Sequence, residues 1–186
     1  MRKILWVIPI SAAVIAGLVG FKLTRPPVAA PAGEIATTFF GPAPLFQLQD
    51  ERLRPLKVSR YVGRHKLLVI FFDGTNGPDK SPLLMQARAD YDKLQKTGAM
   101  VMAISSALPQ HNRAGIERVG EFPFPLLSDI VDFEVHRRWG AFDDAVDKPL
   151  EGVFVVDRAG NIRAKHLGPD RLGTADLWIG ELQQVR

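Results

Sequence analysis

The residues best placed to do chemistry lie in one punctuated stretch, Asp73-Gly74-Thr75-Asn76-Gly77-Pro78-Asp79-Lys80-Ser81-Pro82. Ser81 could be a nucleophile, but a serine needs a base and no His is near it in sequence. Its place before Pro82 is explained by a helix cap with proline in the first turn. Lys80 could be a reactive amine only if desolvated, and a loop lysine is ordinarily solvated. Asp73 and Asp79 could share a hard cation with backbone carbonyls; turn formation accounts for both more simply. His65, His111, His136 and His166 show no metal-ligand spacing. His136, beside Arg137 and Arg138, is expected on a helix surface. His111, Asn112 and Arg113 are expected in a loop at the carboxyl end of a strand, which makes them the best remaining ligand-site candidates. Asp143, Asp144 and Asp147 read as a solvated loop. The chain has no cysteine, which excludes disulfides, thiolate metal sites and any thiol nucleophile. No metal and no cofactor is expected.

Those residues must be held by something, and the segment before them supplies it. Leu67 to Phe72 is an unbroken apolar run, too short for a helix and too apolar for a half-exposed strand. It predicts a central strand buried on both faces. Open α/β sheets form their sites beyond the carboxyl ends of such strands, which is where Asp73 to Pro82 falls. Residues 82–97 follow with Leu83, Leu84, Ala87, Tyr91 and Leu94 at helical spacing, and Gly98 as the stop. Strands are expected at 99–105, 124–129, 152–157 and 162–166. Shorter helices are expected at 112–119 and 132–140. A closing helix over 174–185 should turn Leu177, Trp178 and Leu182 inward.

The net charge of +4 is concentrated at one end of the chain. Residues 1–32 carry Arg2, Lys3, Lys22 and Arg25 and no acid, while the remainder is balanced. No nucleic-acid partner is expected, since that needs a basic face on the folded domain. Ile4 to Phe21 runs without a charge, and as a helix it would extend about 27 Å, near the thickness of a bilayer core. A cleaved signal peptide competes with this reading. However, the nearest small-x-small site, Ala30-Pro31-Ala32, stands far downstream. We therefore expect an uncleaved single-pass anchor over 1–25, a Pro/Ala-rich tether over 26–38 and a folded domain over 39–186 on the periplasmic or lumenal side. Arg52, Arg54, Lys57, Arg60, Arg64 and Lys66 follow one another with no acid between them. They form either a solvated edge or a docking face for anionic lipid or an acidic partner.

Taken together, Gly41-Pro42-Ala43-Pro44 with Phe46 and Leu48, the run Leu68 to Phe72, Val101 to Ser105, Pro125-Leu126-Leu127-Ser128-Asp129, Trp139-Gly140 and Gly152 to Asp157 with Gly160-Asn161-Ile162 resemble a known order. It is that of the thioredoxin fold, and more narrowly of the peroxiredoxins, the alkyl hydroperoxide reductase and thiol-specific antioxidant group. The resemblance covers about residues 39–168 and implies an α/β fold with a central mixed sheet. It also implies a catalytic thiolate at the start of the helix after the central strand, a Thr three residues earlier, a Pro before that and an Arg ahead of the strand at Val153. In this chain those positions are Lys80 (or Ser81), Gly77, Asp73 and Glu151. Every one is replaced, and the last changes sign.

Two functions follow from this. The chain is expected to be a membrane-anchored, cysteine-free peroxiredoxin-like domain serving as a structural or interaction subunit of a membrane complex. The alternative is an enzyme or ligand-binding protein with a non-thiol site formed by Asp73 to Ser81, His111 to Arg113 and Glu151.

Overall fold

The computed structural model describes residues 39–186. The expected anchor and tether lie outside the described residues. No helix among those described is long and apolar enough to cross a membrane.

The predicted central strand forms as β4 (Lys66–Phe72), with Leu67 to Phe72 all at 1% exposure or less. It pairs in parallel with β5 (Ala99–Ser105) and antiparallel with β9 (Gly152–Val156). β6 (Leu126–Ser128) continues in parallel beyond β5, and β10 (Asn161–Leu167) continues antiparallel beyond β9. A hairpin of β2 (Gln47–Asp50) and β3 (Pro55–Lys57) extends the β6 side, while β1 (Gly41–Pro42) caps β10. The result is an eight-stranded mixed sheet in the order β1-β10-β9-β4-β5-β6-β2-β3, with a separate two-stranded ribbon of β7 (Phe142–Asp143) and β8 (Lys148–Pro149).

Because strand side chains alternate, β4 feeds two cores. Leu68, Ile70 and Phe72 pack with Leu83, Leu84 and Ala87 of α1 (Pro82–Ala89), Leu94 of α2 (Tyr91–Lys96), Ile116 of α3 (Pro109–Val119) and Trp178 and Leu182 of α5 (Ala175–Gln184). Leu67, Val69 and Phe71 pack on the other face with Phe46, Val58, Phe154 and Val135 and Trp139 of α4 (Glu134–Trp139).

Three expectations need correction. Residues 82–97 form two helices, broken at Asp90 (φ −100°, ψ 13°), whose carboxylate takes the Lys93 ammonium at 2.7 Å. Aspartate competes locally for polar groups and favours such breaks. The helix expected from 112 starts at Pro109, where proline is tolerated in the first turn. His111, Asn112 and Arg113 are therefore helical and not in a loop. Leu177 does not turn inward; it is 44% exposed, since α5 buries Ala175, Trp178 and Leu182 and residue 177 lies about 100° around the helix from Trp178.

Candidate functional site

The loop after β4 is held tightly by its neighbours. Gly74 lies where a Cβ would stand 2.0 Å from Ser105 Oγ and 2.6 Å from Ala107 Cβ, so only glycine lets the loop leave the sheet here. Asp73 Oδ1 accepts from the Thr75 backbone N–H at 2.9 Å and from its hydroxyl. Burial pushes the Asp73 carboxyl up, but these two bonds and the nearby Lys148 charge outweigh it and leave it below the ordinary carboxylate value. The Asp73 backbone N–H donates to Glu151 Oε1 at 3.3 Å. The fold thus brings Asp73 and Glu151 together, although they are far apart in sequence.

The second half of the loop is fixed to α3. Pro78, Asp79 and Lys80 form a single 3₁₀ turn. Pro78 is buried against Gly115, where a Cβ would come within 2.4 Å of the proline ring. Arg118 Nε donates to Asp79 Oδ2 at 2.9 Å and its Nη2 to Oδ1, a bidentate pair that leaves the Asp79 side chain 3% exposed. Gly77, at φ +91°, passes beneath this pair; a Cβ there would stand 2.7 Å from Arg118 Nη2. Asp79 is therefore committed to Arg118 and is not a free cation ligand. Ser81 caps α1 as expected, its Oγ accepting from the Leu84 N–H at 3.4 Å, and it is 5% exposed. Lys80 projects to solvent, 68% exposed and 3.9 Å from Asp79.

The Arg118 hydrogen bonds, followed by its charge, hold the Asp79 carboxyl below its ordinary value of 3.8, against the opposing effect of burial. A depressed folded value means that the pair's contribution is complete above the unfolded pKa and disappears as pH falls through the folded one. Two results are expected from this. Below about pH 4 the loop loosens before the sheet does. Asp79→Asn also speeds amide exchange at Lys80 and Ser81, whose N–H groups bond Gly77 O and Pro78 O. Unchanged exchange in that variant would show that Pro78 packing alone holds the loop.

His111, Asn112 and Arg113 diverge, because consecutive helical residues face different ways. His111 is exposed beside Thr75, Ser106, Leu108 and Ile130 around a shallow depression of about 370 Å³. Asn112 is fully buried, its Nδ2 donating to Ser128 Oγ at 3.1 Å. Arg113 donates through Nε and Nη2 to the Glu51 carbonyl at 3.2 and 2.9 Å. Among the described residues no cluster of His, Asp and Glu could hold a metal ion.

His136 is not on the surface; it is fully buried and edge-on to Phe71, with ring centroids 4.9 Å apart. Asp129, 2% exposed, accepts both the His136 backbone N–H (2.8 Å) and the ring Nδ1–H (2.7 Å). The three-residue step from His136 to the buried Trp139 was the available signal, obscured by the flanking arginines. Asp144 and Asp147 both pair with Arg137, which also lies over the Phe142 ring.

A model of the AhpC/TSA family matches residues 41–165. Alkyl hydroperoxide reductase E of Mycobacterium tuberculosis is 30% identical over 142 residues, which is 75% of this chain and 92% of that protein. The chloroplastic peroxiredoxin Q of Sedum lineare is 29% identical over 121 residues; the match spans 64% of this chain and only 63% of that relative. The crystal structure of peroxidoxin BcpB from Mycobacterium tuberculosis superposes with a TM-score of 0.65 at 20% identity, covering 78% of this chain and 96% of that one. The mitochondrial 2-Cys peroxiredoxin of Plasmodium falciparum also gives 0.65, at 16% identity, covering 78% and 92%. The cores that pack on β4, the loop beyond it and the sequence match agree: this cysteine-free chain belongs to the AhpC/TSA family and has the thioredoxin-like peroxiredoxin fold.

Proposed function

We propose that this chain is a non-catalytic member of its family, a redoxin domain carried on an N-terminal membrane anchor and serving as an interaction or structural subunit of a membrane complex. The observation that carries this reading is the helix start where the family places its thiolate. Pro78 is seated on Gly115 there, Arg118 covers Asp79, and the nucleophile's position falls on the solvated Lys80 or on Ser81, whose hydroxyl is committed to the helix cap. A thiolate peroxidase needs a low-pKa sulfur and a nearby cation to stabilise the departing oxygen. Here the position of that cation is Glu151, whose carboxylate would repel a developing anion. The alternative is a non-thiol site formed by Asp73 to Ser81, His111 to Arg113 and Glu151; Asn112 and Arg113 are engaged by Ser128 and the Glu51 carbonyl, whereas His111 faces Thr75 and Glu151 meets Asp73.

Purified protein is expected to consume hydrogen peroxide and alkyl hydroperoxides no faster than buffer. Lys80→Cys is expected to react only at the rate of an ordinary exposed thiol, because neither the Thr at residue 77 nor the Arg at residue 151 is present. Rapid peroxide turnover by the unmodified chain would overturn the proposal. For the partner, a tagged chain extracted from membranes in mild detergent should migrate on a native gel within a larger assembly, whose other subunits mass spectrometry would name. Migration as a free monomer or dimer would count against the subunit role.

A further inference from the structure

We propose that the end of the domain opposite the candidate site, where β4 and β5 begin, docks on an anionic lipid surface. The proposal rests on the membrane-anchored reading above and adds the orientation of the domain to it. Four cations from three parts of the sequence are carried to this end. Arg64 leads into Lys66, the first residue of β4. Lys66 pairs in register with Ala99, three residues after Lys96. The β9–β10 hairpin returns Arg158 to the same end, since Val156 lies beside Leu67. The Arg158 guanidinium reaches to 4.0 Å from the position of a Cβ on Gly98. Its backbone N–H donates to the Arg186 carbonyl at 2.8 Å, beside a concavity of about 640 Å³ lined by Lys66, Arg158, Ala159, Gln183, Val185 and Arg186.

Among the described residues none of these four cations pairs with a carboxylate. The hairpin's own acid, Asp157, is 4% exposed and already holds Arg163 at 2.6 Å. Burial, and to a lesser extent the Arg158 charge, holds the Lys66 ammonium below its ordinary value; an anion placed over this end would offset the second of these. The fold also divides the basic run of the sequence. Arg52 is neutralised by Glu121 and Glu51, and Arg54 by Asp50, whereas Arg64 and Lys66 have no carboxylate among the described residues, Lys66 Nζ donating instead to the Leu182 carbonyl at 2.8 Å.

The occupant is a surface and not a small anion. Arg64, Lys96 and Arg158 are all exposed, with no fork of buried donors to enclose a phosphate. Exposed Lys and Arg held close to a leaflet that carries anionic lipid are attracted to its headgroups, each contributing about a fivefold gain. A membrane is the surface at hand, because the uncharged run from Ile4 to Phe21 is long enough to span one on the reading above. The first described residues, Phe39 and Phe40, are 61% and 50% exposed at the sheet edge, against the first residues of β10.

The test uses the full chain in nanodiscs of phosphatidylcholine with or without phosphatidylglycerol. Acylation rates at each lysine are read by mass spectrometry, with Lys80 at the opposite end as the internal reference. Lys66 and Lys96 are expected to react about fivefold more slowly, relative to Lys80, on the anionic discs. The protection should disappear at high salt and in the Arg64→Gln/Arg158→Gln double variant. Equal ratios on both discs would overturn the proposal. So would equal protection on neutral discs by inorganic phosphate or an acidic peptide, which would assign the cluster to a soluble anion. Carbonate washing of native membranes separates the two claims. Release of the chain would remove the anchor reading, whereas retention with equal ratios would remove only the docking face.

Discussion

Asp129→Ala lowers the unfolding free energy by about 2–5 kcal/mol. Among the described residues the carboxylate is the only partner of two buried donors, the backbone N–H and the Nδ1–H of His136, and His136 Nε2 has none. Removing it leaves the whole imidazole unsatisfied between Phe71 and Phe133, and a buried donor without an acceptor costs about 1–3 kcal/mol. The same oxygen fixes the first turn of α4, so the loss should spread to Trp139, which packs on Phe154 at 5.3 Å between ring centroids. Asp129→Asn keeps an acceptor and should cost less than half as much. Denaturant unfolding of the three proteins checks the order. A loss under about 1 kcal/mol in the alanine variant would mean that the pair is incidental to the fold.

Trp178→Ala is expected to cost about 3–5 kcal/mol, with a fall in Tm of roughly 10 °C or more. Trp178 is fully buried beneath the sheet and its indole N–H donates to the Leu172 carbonyl at 2.7 Å. Truncation therefore opens a cavity and also leaves a carbonyl short of its donor. Leu177→Ala, one residue away, should stay within about 0.5 kcal/mol, because its side chain folds back over Gly173 at the surface. Calorimetry on the two variants separates the buried face of α5 from its exposed one. Equal losses would mean that the helix face is assigned wrongly.

The contrast between Trp178 and Leu177 also shows how far the sequence can be read. Hydrophobic runs such as Leu67 to Phe72 and Gly152 to Val156 declare buried strands, because a strand covered on both faces has no polar residue to conceal it. Ser81 followed by Pro82 declares a helix start, because capping is chemistry between neighbours. An apolar residue on a helix says less, since Leu177 and Trp178 look equally suited to a core. Pairs formed across the fold leave no local trace. Arg118 reaches Asp79 from another helix, Glu151 meets Asp73 from another strand, and neither partner is marked by spacing. His136 misled for a related reason. A polar residue between arginines looks solvated, and its burial depends on an aspartate from the preceding turn. The absence of cysteine needed no structure at all. What the structure adds is the way the site loop is packed in its place.

The sheet ends on both sides in very short strands. β1 and β3 span two and three residues, and each carries a proline, Pro42 and Pro55. A proline has no N–H to offer a further strand, and an edge this short presents almost no ladder for another chain to copy. Copies crowded together on a lipid surface would meet at high local density, the condition that favours ribbon-to-ribbon polymerisation. Among the described residues the stretch left open is Arg163 to Leu167 of β10, which β1 does not reach, so backbone pairing between copies would be confined to that stretch and any other contact must run through side chains.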